Sequence, residues 1–325
     1  MRVNFIVEDL SLFKYIGSTT AARMLYRALK GFPDLEVTWN SPEKDFDLVH
    51  YHSFGPFALW YKWRSGGLAV VTAHSTPRLN RQNLALAGVI NSFYPPVYRS
   101  FDHIITISQG SSREVAEMAP DVPTTLIPNG VDRTLFHSDP EKRVRFRERY
   151  GIGKDDWVAL TVAQQTPRKG ILDFIELFRM RPELRGIWVG GFPYGVLSKS
   201  YWRIQNAKKE CRENVIFTGF VPDITEAYSG ADLFFMPSYA EGMSIVLLEA
   251  LASGLPCVVR RIPEFEEVFG PEGLYFSTTD EAAEVVMEKE RLRATAEKSR
   301  EFSARFDIDL IARKHHRLYQ ELVHS

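Results

Sequence analysis

Short runs of apolar and β-branched residues recur along the chain, separated by stretches with the amphipathic period of helices. In the first half, these runs predict strands at residues 3–7, 46–52, 68–74, 103–108 and 124–128. The series then restarts, with strands predicted at residues 157–163, 187–191, 215–219, 233–237, 257–260 and 274–277. Strands that alternate with helices are typical of parallel βαβ units. We therefore predict an α/β protein with two Rossmann-like domains.

A cluster of turn residues separates the two series. Residues 128–132 read Pro-Asn-Gly-Val-Asp, and the charged stretch 139–149 predicts a helix that opens the second half. Near the end, residues 308–323 carry apolar side chains at helical spacing. We predict an N-terminal acceptor domain over residues 1–135, completed by a C-terminal helix at 308–325, and a C-terminal donor domain over residues 136–307.

Composition narrows the class of protein. The chain has 325 residues, of which 45% are hydrophobic and 25% charged, as expected of a folded protein of about two domains. Its two cysteines, Cys211 and Cys257, lack neighbours at metal-ligand spacing, so neither a zinc site nor a disulfide framework is predicted. No apolar run reaches the ~18 residues of a membrane span. We expect a cytoplasmic protein, free or peripheral on the inner face of the cell membrane.

The clearest chemical signal lies in residues 237–250, Pro-Ser-Tyr-Ala-Glu-Gly-Met-Ser-Ile-Val-Leu-Leu-Glu-Ala. A strand leads through small residues into a helix that Ser244 is placed to cap, and such helix starts bind phosphate through free amides and the helix dipole. Glu241 precedes the helix and Glu249 lies within it, on the order of 10 Å further on. That spacing suits hydroxyls at the two ends of a long ligand. Two surface glutamates beside a capped helix are the simpler alternative.

Glu241 and Glu249 reproduce an E-x7-E motif, and with it the chain resembles the retaining glycosyltransferases of family 4, whose fold is called GT-B. Arg168-Lys169-Gly170, after the first strand of the second half, and the cluster at 128–132 resemble that family in the same order. The resemblance implies two Rossmann-like domains facing a central cleft, with the last helix crossing back to the first domain. It covers nearly the whole chain, strongly in the second half and loosely in the first.

The resemblance also implies roles in binding a nucleotide sugar. Glu249 would hold the ribose hydroxyls, and Glu241 would hold hydroxyls of the donor sugar. The backbone amides that follow Glu241 would assist it; these belong to Gly242, Met243 and Ser244.

Two cations are assigned to the diphosphate by the same resemblance. Arg168 and Lys169 would bind the phosphates, whose negative charge grows as the glycosidic bond breaks, so the cations stabilise the transition state. Taken alone, Arg168 and Lys169 are also typical of a solvated turn.

The first half contributes further candidates. Gly17 and Ser18 begin a predicted helix after the first strand, where the backbone could approach the donor phosphate; relatives commonly carry two glycines at this turn. His74 matches the family's cleft histidine, which implies a hydrogen bond to the donor sugar, although a loop-capping histidine is the alternative. His52 is a candidate on the acceptor side, and we expect His50 to pack in the core.

The predicted chemistry needs no protein nucleophile. A double displacement uses two closely spaced carboxylates, whereas the acids of the motif are assigned to hydroxyls. Following the family, we expect a front-face mechanism in which the departing phosphate accepts the proton of the acceptor. No Asp-x-Asp triplet is placed to hold a diphosphate-bound cation. We therefore expect no metal and no cofactor; the nucleotide sugar is a substrate.

A stretch without Asp or Glu lies between Asp47 and Asp102, and its basic residues are Lys62, Arg64, Arg78, Arg81 and Arg99. The same stretch holds the aromatic residues Phe54, Phe57, Trp60, Tyr61, Trp63, Phe93, Tyr94 and Tyr98. Cations interleaved with aromatics suit an anionic membrane surface. The alternative is a set of core aromatics under an ordinary solvated face. His74-Ser75-Thr76, with Asn91-Ser92-Phe93, also resembles glycolipid-forming members of the family.

The leading hypothesis is an enzyme that moves a hexose from a nucleotide diphosphate sugar, of the UDP-glucose or GDP-mannose type, to a lipid or saccharide hydroxyl at the membrane surface. The alternative is a catalytically idle, nucleotide-sugar-binding GT-B subunit of a glycosyltransferase complex. A dinucleotide-dependent oxidoreductase would need Gly-x-Gly-x-x-Gly after a strand, which this sequence lacks. No motif indicates a nucleic-acid partner.

Overall fold

The structure is a computed structural model that describes residues 1–8, 17–79, 87–193, 195–211 and 213–324. Arg81 of the basic stretch lies outside these residues. By their contacts, the residues divide into two compact units. The first unit comprises Met1–Gly130, Gly242–Ile245 and Phe306–Ser325; the second comprises Val131–Glu241 and Val246–Arg305.

The first unit is a parallel sheet covered by helices on both faces. Its strands are β1 (Arg2–Ile6), β2 (Glu36–Trp39), β3 (Leu48–Tyr51), β4 (Leu68–Thr72), β5 (His103–Thr106) and β6 (Thr124–Leu126). Its helices are α1 (Gly17–Leu29), α2 (Pro56–Arg64), α3 (Ala87–Ser92), α4 (Tyr94–Tyr98), α5 (Gln109–Met118) and, at the end of the chain, α14 (Ile308–His324). The strand order is β2-β1-β3-β4-β5-β6.

Apolar side chains on the two faces of this sheet form two hydrophobic cores. Val3 and Phe5 of β1 pack with α1 and α14 on one face, whereas Ile6 packs on the opposite face with α2 and α4. Successive strand residues point to opposite faces, so both faces of a buried parallel strand are apolar. The C-terminal helix belongs to this unit, as predicted, because Leu318 and Tyr319 are part of its core.

The second unit repeats the architecture. Its strands are β7 (Val158–Val162), β8 (Arg185–Val189), β9 (Val215–Gly219), β10 (Leu233–Met236), β11 (Cys257–Arg260) and β12 (Leu274–Phe276), in the order β12-β11-β10-β7-β8-β9. Its helices are α6 (Pro140–Arg149), α7 (Ile171–Met180), α8 (Tyr201–Lys209), α9 (Ile224–Gly230), α10 (Ile245–Ala252), α11 (Pro263–Phe269), α12 (Thr279–Val285) and α13 (Lys289–Ala304). Short 3₁₀ turns occupy Pro167–Lys169, Gly195–Leu197 and Gly270–Glu272.

Several strands are one to three residues shorter than predicted from sequence, and two further features of the sheets differ from the prediction. Strand β2 was not predicted; it is an edge strand of four residues that pairs only with β1 among the described strands. Strand β8 begins and ends two residues earlier than the predicted 187–191. It ends before Gly190, whose φ of +121° and close approach to Ala163 O (2.2 Å from an added Cβ) break the extended run.

In each sheet, the order in which successive strands are added reverses at the first strand of the unit. In the second unit, β7 lies between β8 and β10, so the chain leaves β7 on one side and later returns on the other. Loops that follow such neighbouring strands diverge and open a crevice at their carboxyl ends, where ligands of α/β proteins bind. In the described part of the chain, no helix combines the length and hydropathy needed to span a bilayer.

Candidate active site

The loop after β7 and the loop after β10 meet at the crevice of the second unit. Gly170 ends the turn Pro167–Lys169 with φ +73°, and an added Cβ would lie 2.2 Å from Pro237 O. Only glycine fits a left-handed position this close to another backbone. Tyr239 N also donates to Arg168 O (2.8 Å). The backbone therefore fixes the distance between the two loops.

A buried ion pair joins the side chains of these loops. Lys169 Nζ lies 2.6 Å from Glu241 Oε1, and Arg168 Nη1 lies 3.6 Å from Glu241 Oε2. Burial favours the protonated acid, but the charges of Lys169 and Arg168 outweigh it and hold the pKa of Glu241 below its usual value. Burial lowers the pKa of Lys169, opposed by Glu241. The site thus brings two cations together, which suits it to contact with an anion.

A second group of residues, which sequence reasoning missed, supports the loop after β10. Buried Arg260 donates from Nε to Pro237 O (3.1 Å) and pairs through Nη2 with Asp173 Oδ1 (3.0 Å). Its guanidinium lies 4.0 Å from the ring centroid of Tyr239, whose hydroxyl donates to Asp173 (2.8 Å). An arginine as the last residue of β11 was the available sequence signal. These contacts hold the backbone that leads to Glu241.

Glu249 lies on α10 in a different electrostatic environment. Burial raises its pKa to about 7, although Tyr228 partly offsets this by donating its hydroxyl to Glu249 Oε2 (2.6 Å). Tyr228 is fully buried on α9 and was not identified from sequence. The two acids of the motif are thus distinct: the carboxylate of Glu241 is held ionised by cations, and that of Glu249 is desolvated beside one hydroxyl.

The three residues assigned to backbone contacts connect Glu241 with α10. Gly242, Met243 and Ser244 lead to the start of α10 at Ile245, so Ser244 occupies the residue before the helix, as predicted. By its contacts the segment Gly242–Ile245 groups with the first unit, where Asn129 Nδ2 donates to Met243 O (2.9 Å).

In the first unit, Gly17 and Ser18 are the first two residues of α1. Among the described residues, no atom lies within 4 Å of a Cβ added at Gly17, so none of them requires glycine there. The last residue described after β1 is Glu8, whose Oε1 accepts from Phe57 N (2.6 Å) and Ala58 N (3.1 Å) at the start of α2. A protein carboxylate thus occupies that helix start.

Histidines cluster where β3 and β4 end. His50 is buried, with its ring nitrogens 2.6 Å from the Tyr319 hydroxyl and 2.7 Å from Thr72 Oγ1. His52 Nδ1 lies 3.1 Å from His74 Nε2. Burial lowers the pKa of His74 to about 4 and that of His50 and His52 well below the usual value, so all three are neutral at pH 7.

The aromatic residues of the acid-free stretch divide between core and surface. Tyr61, Tyr94 and Tyr98 are buried. On α2, however, Trp63 is 83% exposed, Trp60 51% and Phe57 44%. The core alternative therefore accounts for the tyrosines, and an exposed aromatic and basic face remains on α2, which also carries Lys62 and Arg64.

Comparison with known families identifies the class of protein. A family model described as Glycosyl transferases group 1 matches residues 142–304, and a Glycosyltransferase Family 4 model matches residues 9–135. The chain belongs to the group 1 glycosyltransferases. Its relatives include the processive diacylglycerol alpha-glucosyltransferase of Acholeplasma laidlawii, 32% identical over 82% of this chain and 80% of the relative.

A second relative of the glycosyltransferase is the alpha-galactosylglucosyldiacylglycerol synthase of Streptococcus pneumoniae, 29% identical over 82% of this chain and 73% of the relative. Among solved structures, Anabaena HepE in complex with UDP-glucose has a TM-score of 0.82 at 18% identity and covers 99% of this chain and 100% of HepE. Sucrose-phosphate synthase from Thermosynechococcus elongatus has a TM-score of 0.82 at 18% identity, with coverage of 99% and 98%. The fold of the glycosyltransferase is GT-B, as predicted.

The buried contact between Lys169 and Glu241 predicts how the removal of Lys169 affects stability. Lys169→Met leaves Glu241 buried with Arg168 alone, and we expect the free energy of unfolding to fall by about 3 kcal/mol, measured by urea denaturation. The matched control is Lys298→Met, which breaks an exposed pair with Glu272 and should cost less than about 1 kcal/mol. Equal losses in the free energy of unfolding would show that the buried pair stabilises the protein no more than the exposed pair does.

The raised pKa of Glu249 predicts a pH-dependent gain in stability. Because its folded pKa of about 7 exceeds the ordinary value of 4.5, Glu249 costs stability progressively as pH rises from 4.5 to about 7, and the full cost is present above that pH. Glu249→Gln keeps an acceptor for Tyr228, so it should stabilise the ligand-free protein at pH 8, on the order of 2 kcal/mol, and not at pH 4. Melting temperatures at the two pH values measure this, with exposed Glu301→Gln as control. A gain independent of pH would contradict the assignment.

Proposed function

We propose that this glycosyltransferase moves a hexose from a nucleotide diphosphate sugar, of the UDP-glucose or GDP-mannose type, to the hydroxyl of a lipid, with the anomeric configuration retained. The observation that carries the proposal is the buried site of Lys169, Arg168 and Glu241 at the crevice of a group 1 glycosyltransferase. The names of the relatives, which include two synthases of glycosylated diacylglycerols, support a diacylglycerol-based acceptor.

In this proposal the cations bind the diphosphate. Lys169 Nζ and Arg168 Nη1 lie 2.6 Å and 3.6 Å from the Glu241 carboxylate, so an incoming diphosphate meets two positively charged side chains. As the bond between the sugar carbon and the phosphate oxygen breaks, negative charge grows on that oxygen, and fixed cations in a buried site stabilise it without reorganisation. HepE, which shares the fold, is solved with UDP and with UDP-glucose.

The acids of the motif bind hydroxyls. Glu241, kept ionised, accepts from hydroxyls of the donor sugar, with the amides of Gly242, Met243 and Ser244 beside it. Glu249 accepts from the ribose hydroxyls. Gly17 and Ser18 lie near the donor phosphate, and His74 hydrogen-bonds the sugar.

The proposed reaction proceeds on one face of the sugar. The acceptor oxygen forms a bond to the anomeric carbon, the bond from that carbon to the diphosphate breaks, and the phosphate oxygen takes the proton of the acceptor hydroxyl. Retention follows because the acceptor enters from the side that the phosphate leaves. The relatives' names describe alpha products, which supports retention from alpha-linked donors. We propose that no metal takes part.

We further propose that the enzyme works at the surface of an anionic membrane, on its cytoplasmic side. The exposed indoles of Trp60 and Trp63 lie on α2 together with Lys62 and Arg64. Amphipathic aromatics enter the interface, while each basic residue adds about 1 kcal/mol near anionic lipid. A diacylglycerol-based acceptor is held in that interface, so attachment of the first unit brings enzyme and acceptor together.

The diphosphate role predicts the behaviour of Arg168→Ala. Turnover should fall about 100-fold, by analogy with the loss of one oxyanion donor, because the charge on the leaving phosphate loses a partner. Turnover is measured as nucleotide release from UDP-glucose or GDP-mannose, with diacylglycerol in lipid vesicles as the acceptor. EDTA should leave the turnover of the wild type unchanged. Arg179→Ala, on the exposed side of α7, is the control. Equal turnover of Arg168→Ala and wild type would overturn the role.

The same assay separates an enzyme from an idle subunit. If the wild type binds nucleotides in a thermal-shift screen but releases none from any common donor, the protein is an idle nucleotide-sugar-binding subunit.

The membrane role predicts a loss of vesicle binding. Trp60→Ala combined with Trp63→Ala should weaken binding to anionic vesicles roughly tenfold or more, because two interfacial indoles are lost. Co-sedimentation with phosphatidylglycerol vesicles measures it, and Trp202→Ala, an exposed tryptophan of the second unit, is the control. Unchanged sedimentation of the double variant would contradict the assignment of α2.

A further inference from the structure

Strands β3 and β4 carry two side-chain pairs with the same diagonal offset. Their register aligns His50 with Val70 and Tyr51 with Val71. The ring of His50 reaches Thr72 Oγ1, and the ring of His52, two residues further, reaches His74 Nε2 at 3.1 Å. Both contacts join residues 22 positions apart, on the same face of the sheet. The second pair therefore extends a side-chain ladder past the ends of the strands.

The two histidines of the second pair differ in accessibility. His52 is only 4% exposed, whereas His74 is partly exposed. A ligand can reach the ring of His74, but His52 lies behind it. Because His52 occupies His74 Nε2, only Nδ1 of His74 remains for a ligand.

The surroundings keep this pair neutral. The titratable groups that face His52 are His50 on the same strand segment, His74 on the next, and His315 on α14. Burial lowers the pKa of each of these histidines, with His74 and His315 at about 4. At pH 7 the bond between His52 and His74 thus joins two neutral imidazoles, of which one donates and the other accepts.

We propose that His52 is a positioning residue that fixes the tautomer and ring plane of His74. His52 donates from Nδ1 to His74 Nε2, so His74 carries its proton on Nδ1 and presents it to a hydroxyl of the donor sugar. This inference rests on the proposed role of His74, and it replaces the acceptor-side role that the sequence suggested for His52.

The direction of the hydrogen bond follows from the other nitrogen of His52. His52 Nε2 is buried and has no hydrogen-bond partner among the residues that the structure describes. If His74 were the donor, His52 would carry its proton on Nε2 as a buried donor without an acceptor, and orphaned buried N–H groups are rare in proteins. With the proton on Nδ1 of His52, its N–H donates to His74 Nε2, and the N–H of His74 is available to the donor sugar. The rings also stack, with centroids 5.4 Å apart and planes 27° from parallel.

Two substitutions separate positioning from packing. His52→Leu fills the site but donates no hydrogen bond, and we expect kcat/KM for UDP-glucose, or for GDP-mannose, to fall about tenfold. His52→Asn keeps an amide N–H near the position of Nδ1 and should restore most of the activity. The affinity for UDP or GDP, which lack the sugar, should not change in either variant. Loss of nucleotide affinity in parallel with kcat/KM would mean that His52 is merely structural.

A double-mutant cycle tests whether His52 acts through His74. In a His74→Ala background, the change His52→Leu should have no further effect on kcat/KM, because the group that it positions is gone. If the double variant instead loses kcat/KM by the product of the two single losses, the proposal is overturned. His103→Leu is the control, since His103 begins β5 at the amino ends of the parallel strands, whereas His52 and His74 lie past their carboxyl ends, and it pairs with Thr125.

The tautomer can be read without any activity. Nitrogen-15 spectra of histidine-labelled protein at pH 7.5, assigned with the same variants, should show both rings protonated on Nδ1. Protonation of His74 on Nε2 would overturn the proposal, even if His52→Leu does not fold. If the wild type transfers no sugar, the proposed function fails while the spectrum still decides the state of His52.

Discussion

The contact between Lys169 and Glu241 is the constraint on which the second unit's site depends. It closes the two loops that leave neighbouring strands β7 and β10 in opposite directions. Gly170 allows the backbones of the two loops to approach closely, and Arg260 donates a hydrogen bond to the carbonyl oxygen of Pro237. A buried lysine paired with a buried glutamate is stabilising only when both are present and well oriented. The pair therefore keeps a cation desolvated and fixed before any ligand arrives.

Much of the fold and part of the site could be predicted from sequence. The strands of both sheets follow from short apolar runs, because parallel strands are buried on both faces. The exception, β2, is a short edge strand containing polar residues. The motif located Glu241 and Glu249 but not their different pKa values, because these depend on partners distant in sequence. Tyr228 and Arg260 could not be identified for the same reason: only the packing of the sheet brings them near the motif.

The aromatic stretch shows how a composition pattern can have two causes at once. Tyr61, Tyr94 and Tyr98 are core residues, and their hydroxyls remain near polar partners. Trp60 and Trp63 are exposed on α2, where the guanidinium of Arg64 lies 5.1 Å from the ring centroid of Trp60. Sequence alone could not divide the set, because on α2 the buried Tyr61 directly follows the exposed Trp60. Burial decides the role of each ring.

In the proposed complex, Glu249 would couple nucleotide binding to the proton concentration of the solution. With a pKa of about 7, the free protein at neutral pH is a roughly equal mixture of molecules with and without a proton on this side chain. A ribose whose hydroxyls donate to the carboxylate selects the molecules that have lost it. Association then expels a fraction of a proton into the medium. The heat released on mixing therefore varies with the ionisation enthalpy of the buffer chosen.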